Sequence, residues 1–212
     1  WLKKLRHCQV DDQDFTSSDR FYHPARLVLD IQEFFPKDSV FFADIGTSMA
    51  WAIRYMSINT PGSFFVSLGY GSMGYAVAAP VGACFAANGR PVVAMVGDGS
   101  FLMNGFEVAT AVNYKLPITW VVFNNAMLGM VHHGRRLLKK SVPDGIDPCF
   151  KRVDYVKLAE GLGARGIHVD GKTPITASLV QDILKKQHPT VLDVWIDDQV
   201  VPPIHSRIAA VD

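Results

Sequence analysis

Asp98 stands between two glycines, in Gly97-Asp98-Gly99-Ser100, at the abrupt end of an apolar run from Pro91 to Val96. Asn124 and Asn125 end a second apolar run, Pro117 to Phe123, just as abruptly. The glycines permit a sharp turn and let a phosphate approach the backbone. Ser100 offers a hydroxyl at the start of a helix whose dipole favours an anion. A carboxylate, a side-chain amide oxygen, a backbone carbonyl and two phosphate oxygens, with water, make an all-oxygen shell suited to Mg2+. Taken singly, each cluster reads as an ordinary turn between strand and helix. Asp98 and Asn125 are 27 positions apart, the length of one helix plus one strand returning to the same edge.

That edge needs a sheet to define it. Short, continuous apolar runs at Ser39–Ala43, Phe64–Val66, Pro91–Val96, Pro117–Phe123, Ala164–Val169 and Thr190–Ile196 predict about six strands. Helices are predicted between them, at Pro24–Phe35, Ala50–Met56, Tyr75–Ala87, Ser100–Asn113, Asp154–Gly161 and Thr173–Gln187. A further short helix is expected at Leu2–Cys8. The Ala- and Gly-rich Tyr75–Ala87 segment reads as a buried helix, and Ala126–Val153 as a long loop-rich region of the kind that forms lids. Strands that are apolar throughout, alternating with helices, indicate an α/β fold: a parallel sheet with helices on both faces, in three layers. Ligands bind such sheets beyond the carboxyl ends of the strands. Four polar or glycine-rich clusters fall at those ends: Asp44–Ser48, Gly69–Gly74, Gly97–Ser100 and Asn124–Gly129.

Composition narrows the partners. A net charge of +1 gives no general attraction to nucleic acid or acidic membranes. The Arg135–Lys140 cluster reads as a solvated face. Cys8, Cys84 and Cys149 lack both disulfide and metal-ligand spacing, which suits a reducing, cytoplasmic setting. No apolar run reaches membrane-spanning length, and no signal peptide is evident. One domain is expected at 23–197, with residues 1–22 as a linker from an upstream domain and 198–212 as a tail.

The GDG and NN signals, joined by one helix and one strand, resemble the signature of the thiamine diphosphate (ThDP) enzymes. The likeness covers roughly residues 24–197 and is similar to the C-terminal, diphosphate-binding domain of the acetolactate synthase and 2-oxo acid decarboxylase group. It implies ThDP and Mg2+ as cofactors, with Asp98, Asn125 and the Met127 carbonyl as metal ligands. Gly97, Gly99 and Ser100 complete the diphosphate turn, and Leu128, Gly129 and Met130 follow it around the cofactor. Gly46, Thr47 and Ser48 resemble the decarboxylases' first phosphate loop. Gly71, Ser72 and Met73 resemble the segment that grips the aminopyrimidine, with the Gly71 carbonyl as acceptor and Met73 as an apolar wedge.

The resemblance further implies a pyruvate-like 2-oxo acid substrate that loses CO2 while the cofactor's thiazolium acts as electron sink. The product is then protonated to an aldehyde or added to a second carbonyl. Of these outcomes the acetolactate synthase-like one is expected first. A simple decarboxylase of the pyruvate, sulfopyruvate or phosphonopyruvate type, and a non-catalytic ThDP-binding paralogue, are the alternatives. The family's activating glutamate belongs to a pyrimidine-binding domain of the same or a partner subunit, in a homodimer or tetramer. Glu33, Glu107 and Glu160, the only glutamates here, match no such segment, so the chain is expected to be catalytically incomplete by itself. The biosynthetic members place a tryptophan over the substrate where this sequence has Gly134. His132 and His133 stand just before it as either proton-transfer groups or an exposed pair. A nucleotide-binding module is the rival class, but no G-x-G-x-x-G follows the first strand and no Walker lysine follows a glycine loop.

Overall fold

A computed structural model describes residues 15–138 and 147–204. The expected helix at Leu2–Cys8 lies outside these. In chain order the elements are α1 (Pro24–Phe34), β1 (Val40–Ala43), α2 (Thr47–Tyr55), β2 (Phe64–Val66), α3 (Tyr75–Ala86), β3 (Val92–Gly97), α4 (Asp98–Asn104) and α5 (Glu107–Asn113). There follow β4 (Ile118–Asn124), α6 (Gly129–Leu137), α7 (Tyr155–Gly161), β5 (Arg165–Val169), α8 (Ala177–Lys186) and β6 (Thr190–Trp195). The six strands form one sheet in the order β2-β1-β3-β4-β6-β5, and every pairing is parallel.

Alternate strand residues feed two separate cores. Val93, Met95, Val121 and Phe123 pack with Leu27, Ile31 and Trp51 on one face. Val92, Ala94, Val96, Trp120 and Val122 pack with Ala76, Val77 and Tyr155 on the other. Successive strand side chains point to opposite faces, so helices on both sides require continuous apolar strands. Register brings the strand tips level: Ala43 lies beside Met95, Gly97 beside Phe123, and Asn124 beside Trp195. The polar clusters therefore meet along one edge.

Several boundaries differ from expectation. The single helix predicted over Ser100–Asn113 is two, α4 and α5, with a break at Gly105-Phe106. A Cβ at Gly105 would lie 2.7 Å from the Phe101 carbonyl oxygen, so this close approach requires glycine. Helix α4 also begins at Asp98, and α2 at Thr47 rather than Ala50. The region 126–153 is not wholly loop, because Gly129–Leu137 is helical. Its two glycines conceal that helix from propensity arguments; packing of Gly129 and His133, both buried, anchors it. Helix α8 starts three residues beyond Pro174, where the Thr176 hydroxyl accepts from the Leu179 N–H at 3.2 Å.

Helix α3 is not buried on all sides. Only Ala76, Val77 and Pro80 are covered, and Phe85 is 64% exposed. None of the described helices is long and apolar enough to cross a membrane.

Trp120 is the largest fully buried side chain, and its indole N–H donates to the Val77 carbonyl at 3.1 Å. Trp120→Ala should cost about 3–5 kcal/mol by urea denaturation, since it opens a cavity and removes that hydrogen bond.

Candidate functional site

Four loops converge on one cavity of about 280 Å³ beyond β1, β3 and β4. Of the residues singled out from the sequence, Gly46, Thr47, Gly71, Met73, Gly97, Asp98, Gly99, Ser100, Asn125, Met127, Leu128, Gly129 and Met130 line it. Ile45, Met49, Phe123 and Val131 complete the wall, and make it largely apolar. Two residues lie off it. Ser48 is fully buried and its hydroxyl donates to the Asp44 carbonyl one helical turn back, at 3.2 Å. Ser72 is exposed and is not part of the lining. A wider cleft beside Trp195 gathers none of these residues.

Asp98 is 2% exposed, and its carboxylate reaches across from β3 to the end of β4. One oxygen accepts from the Gly99 N–H at 2.7 Å. The other accepts from the N–H groups of Asn125 and Ala126, at 3.0 and 2.6 Å. Burial pushes its pKa up to about 6, and those N–H donors restrain the rise. Between Asn125 and Met127 the chain turns through Ala126, a non-glycine residue at φ 60°. Such a conformation persists only where surrounding contacts impose it.

The two asparagines have different tasks. Asn124 is fully buried and donates to the Asp193 carboxylate at 2.7 Å and to the Val153 carbonyl at 3.0 Å. Arg152 donates to both the side-chain and main-chain oxygens of Asn124. The Asn125 side chain makes no hydrogen bond among the described residues, and it lines the cavity. Nor does the Met127 carbonyl accept one among them. Met127 is held through its neighbours: the Leu128 N–H donates to Pro148, and the Phe150 N–H to Ala126. One carboxylate, one uncommitted amide oxygen and one uncommitted carbonyl thus lie along one turn.

The remaining lining residues are set by backbone demands. Gly46 adopts φ 136°, ψ −155°, a region open essentially to glycine alone, and begins α2. Thr47 then packs against Gly129, where an added Cβ would approach its methyl to 2.9 Å. Met73 reaches over the Gly97–Gly99 turn, its methyl 3.8 Å from the position a Cβ on Gly99 would occupy. The Ser100 hydroxyl donates to the Ile45 carbonyl at 3.3 Å, so it ties two loops together as well as facing the cavity.

Sequence reasoning missed the polar groups behind the turn. The Tyr155 hydroxyl donates to the Asp98 carbonyl at 2.8 Å, while its own N–H donates to Asp193 at 3.2 Å. Tyr155 and Asp193 sit in α7 and β6, far along the chain, with no local signature. Neither His132 nor His133 lines the cavity. His133 is buried and its basicity is lowered by that burial, while His132 lies 3.9 Å from the Cys149 sulfur. A Cβ on Gly134 would meet nothing within 4 Å.

Because burial raises Asp98 above its unfolded value, the folded state binds the extra proton between about pH 4 and 6. Its contribution to stability therefore grows as pH falls through 6 and is lost above it. In chelator, wild type should gain about 2–3 kcal/mol relative to Asp98→Asn between pH 7 and 4. Parallel denaturation curves at several pH values check this.

Residues 44–194 match the family described as thiamine pyrophosphate enzyme, C-terminal TPP binding domain. YdaP of Bacillus subtilis, whose name describes it only as a thiamine pyrophosphate-containing protein, is 34% identical over 93% of this chain and 33% of its own length. The acetolactate synthase isozyme 2 large subunit of Escherichia coli is 32% identical over 93% of the chain and 37% of its own. This chain therefore spans about a third of the length of its curated relatives. Among solved structures, a ThDP-dependent 4-hydroxybenzoylformate decarboxylase from Rhodococcus jostii superposes with a TM-score of 0.75 at 25% identity, covering 90% of this chain and 36% of that one.

Proposed function

The chain belongs to the thiamine pyrophosphate enzymes, whose C-terminal, TPP-binding domain it carries, and from that membership we propose that residues 23–197 hold the diphosphate and Mg2+ end of a ThDP site. The observation that carries the proposal is the turn where Asp98, Asn125 and Met127 meet. Its donors suit a hard, oxygen-seeking cation in number and kind. Asp98 supplies charge, and Asn125 and the Met127 carbonyl supply neutral oxygens with no other partner. Gly46, Thr47, Gly97 and Gly99 border the space a diphosphate would fill, next to the start of α2, whose first N–H groups favour an anion. Gly71, Met73 and Leu128 would enclose the ring portion and exclude water from it.

When bound, the cofactor would supply the electron sink for loss of CO2 from a 2-oxo acid. The residues of this chain orient it and neutralise its diphosphate. They do not provide the activating acid, for none of Glu33, Glu107 and Glu160 lines the cavity. A second, pyrimidine-binding domain, from the same or a partner subunit, is proposed to supply it. Exposed apolar side chains next in sequence to the lining support such a partner: Leu68, Tyr70, Leu102, Met103 and Phe106 are all uncovered, Tyr70 at 94%.

For the whole protein the reading is acetolactate synthase-like: decarboxylation of a 2-oxo acid such as pyruvate and transfer to a second carbonyl. Relatives named as acetolactate synthases in Escherichia coli and Bacillus subtilis support it. One observation favours the second reading, a simple decarboxylase. Gly134 presents no side chain where the biosynthetic synthases are expected to place a tryptophan. Full-length protein given pyruvate, ThDP and Mg2+ should yield an acetohydroxy acid; acetaldehyde as the sole product would establish the second reading instead.

Binding itself is tested by thermal shift. ThDP with Mg2+, at about 100 times its dissociation constant, should stabilise the fold by about 2.7 kcal/mol. Chelator should abolish the effect, and so should Asp98→Ala. Equal stabilisation with chelator present would rule out the metal-mediated reading.

A further inference from the structure

Asp44 is fully buried at the end of β1 and lies outside the cavity lining. Its two carboxylate oxygens are both committed to the start of α3. One accepts from the Gly74 N–H at 2.9 Å, the other from the Ala76 N–H at 2.7 Å. Burial raises its pKa, and these two N–H groups work against the rise. It forms no ion pair among the described residues. A buried, unpaired carboxylate is costly to keep unless its hydrogen bonds do something.

Gly74 is gripped from the other side as well. The Asn104 amide, at the end of α4, donates to the Gly74 carbonyl at 3.1 Å. At φ 87° Gly74 is in the left-handed region, and an added Cβ would come within 2.6 Å of that same amide nitrogen. Just before it runs the cavity wall, Gly71 to Met73. Gly71 is also left-handed, at φ 73°. Between Gly69 and Met73 no hydrogen bond ties the chain to another element among the described residues; the segment has only its own local turns. The wall therefore hangs from Gly74, and its position is set by whatever holds that residue.

We infer that Asp44 and Asn104 form a two-sided clamp on Gly74 that fixes the Gly71–Met73 wall, and so governs how firmly the ring portion of ThDP is held relative to its diphosphate. The inference rests on the ThDP reading above. Asp44 and Asn104 are positioning residues: neither lines the cavity, and each acts through Gly74. The clamp also couples the wall to the metal turn, because α4 opens at Asp98 and closes at Asn104.

The test compares two probes on the same protein. Inorganic pyrophosphate with Mn2+ engages only the diphosphate and metal turn, whereas ThDP with Mn2+ engages the wall too. Both affinities are read by Mn2+ electron paramagnetic resonance titration for wild type, Asp44→Asn and Asn104→Ala. Asp44→Asn keeps the shape but presents an N–H₂ to one of the two N–H donors. Asn104→Ala alters an exposed side chain, so the fold is preserved even if Asp44→Asn disturbs it. The expected result is a loss of about tenfold in ThDP affinity for Asp44→Asn and about threefold for Asn104→Ala, with pyrophosphate affinity unchanged. A plain helix-capping role for Asp44 would lower stability and leave the ratio of the two affinities as in wild type. That result overturns the clamp, as does an equal loss for both probes. Failure of wild type to bind Mn2+–pyrophosphate at all would instead overturn the diphosphate reading, and the clamp with it.

Discussion

The Asp98 carboxylate spans the gap between two parallel strands at the level where their ladder ends. Beyond Gly97 and Phe123 the backbone can no longer pair strand to strand, and the N–H groups of Asn125 and Ala126 would be left without partners. Asp98 accepts from both, and from Gly99 too. Three N–H donors around one buried carboxylate form a concave, electropositive rim with a single negative centre. The left-handed turn at Ala126 follows from it, because the chain must bend sharply to deliver two successive N–H groups to one oxygen. Most other features of the site are arranged to keep that contact in place.

Support comes from behind the turn. Tyr155 holds the Asp98 carbonyl, Asp193 holds the Tyr155 N–H and the Asn124 amide, and Arg152 closes the set on Asn124. Arg152 is itself laid over the Trp195 ring at 4.8 Å. In this network the Asp98 carbonyl, the Asn124 amide and the Asp193 carboxylate each have a partner, the condition under which such networks rigidify a core rather than weaken it. Four elements, α4, β4, β6 and α7, are thereby fixed around one loop. The division of labour within Asn124-Asn125 follows: the residue still inside the ladder is consumed by structure, and the next is left free.

Farther along the same face of the sheet, apolar surface is left exposed. Helix α3 is apolar on nearly every face but covered on one, and the residues flanking the cavity expose large apolar side chains to solvent. Exposure of this kind marks a surface suited to association. It agrees with the proposed need for a second domain to supply the ring-side half of the site. A chain that holds the charged end of a cofactor needs little more than turns, whereas enclosing its reacting end takes a second wall.

Much of this was written in the sequence. Continuous apolar runs determined a parallel sheet covered on both faces, because strands buried twice cannot alternate. The spacing of Asp98 and Asn125 determined that their turns meet, because one helix and one strand return the chain to the same edge. Polar and glycine-rich clusters at strand ends marked the edge, and the resemblance to the ThDP enzymes supplied the fifteen candidate positions, thirteen of which line one cavity. Tertiary structure alone decided the rest. Ser48 and Ser100 carry the same hydroxyl, yet one turns into the protein and the other onto the cavity; helix phase decides that, and α2 begins earlier than its composition suggested. Helix α6 exists because Gly129 and His133 are packed, not because its residues favour a helix. Tyr155, Asp193 and Asn104 have no local signature at all, and Asp44, though it opens a polar cluster at a strand end, gives no sign of its partner. Their partners lie 30 to 69 positions away, and contacts over such distances are set by how the layers stack, which no stretch of sequence records by itself.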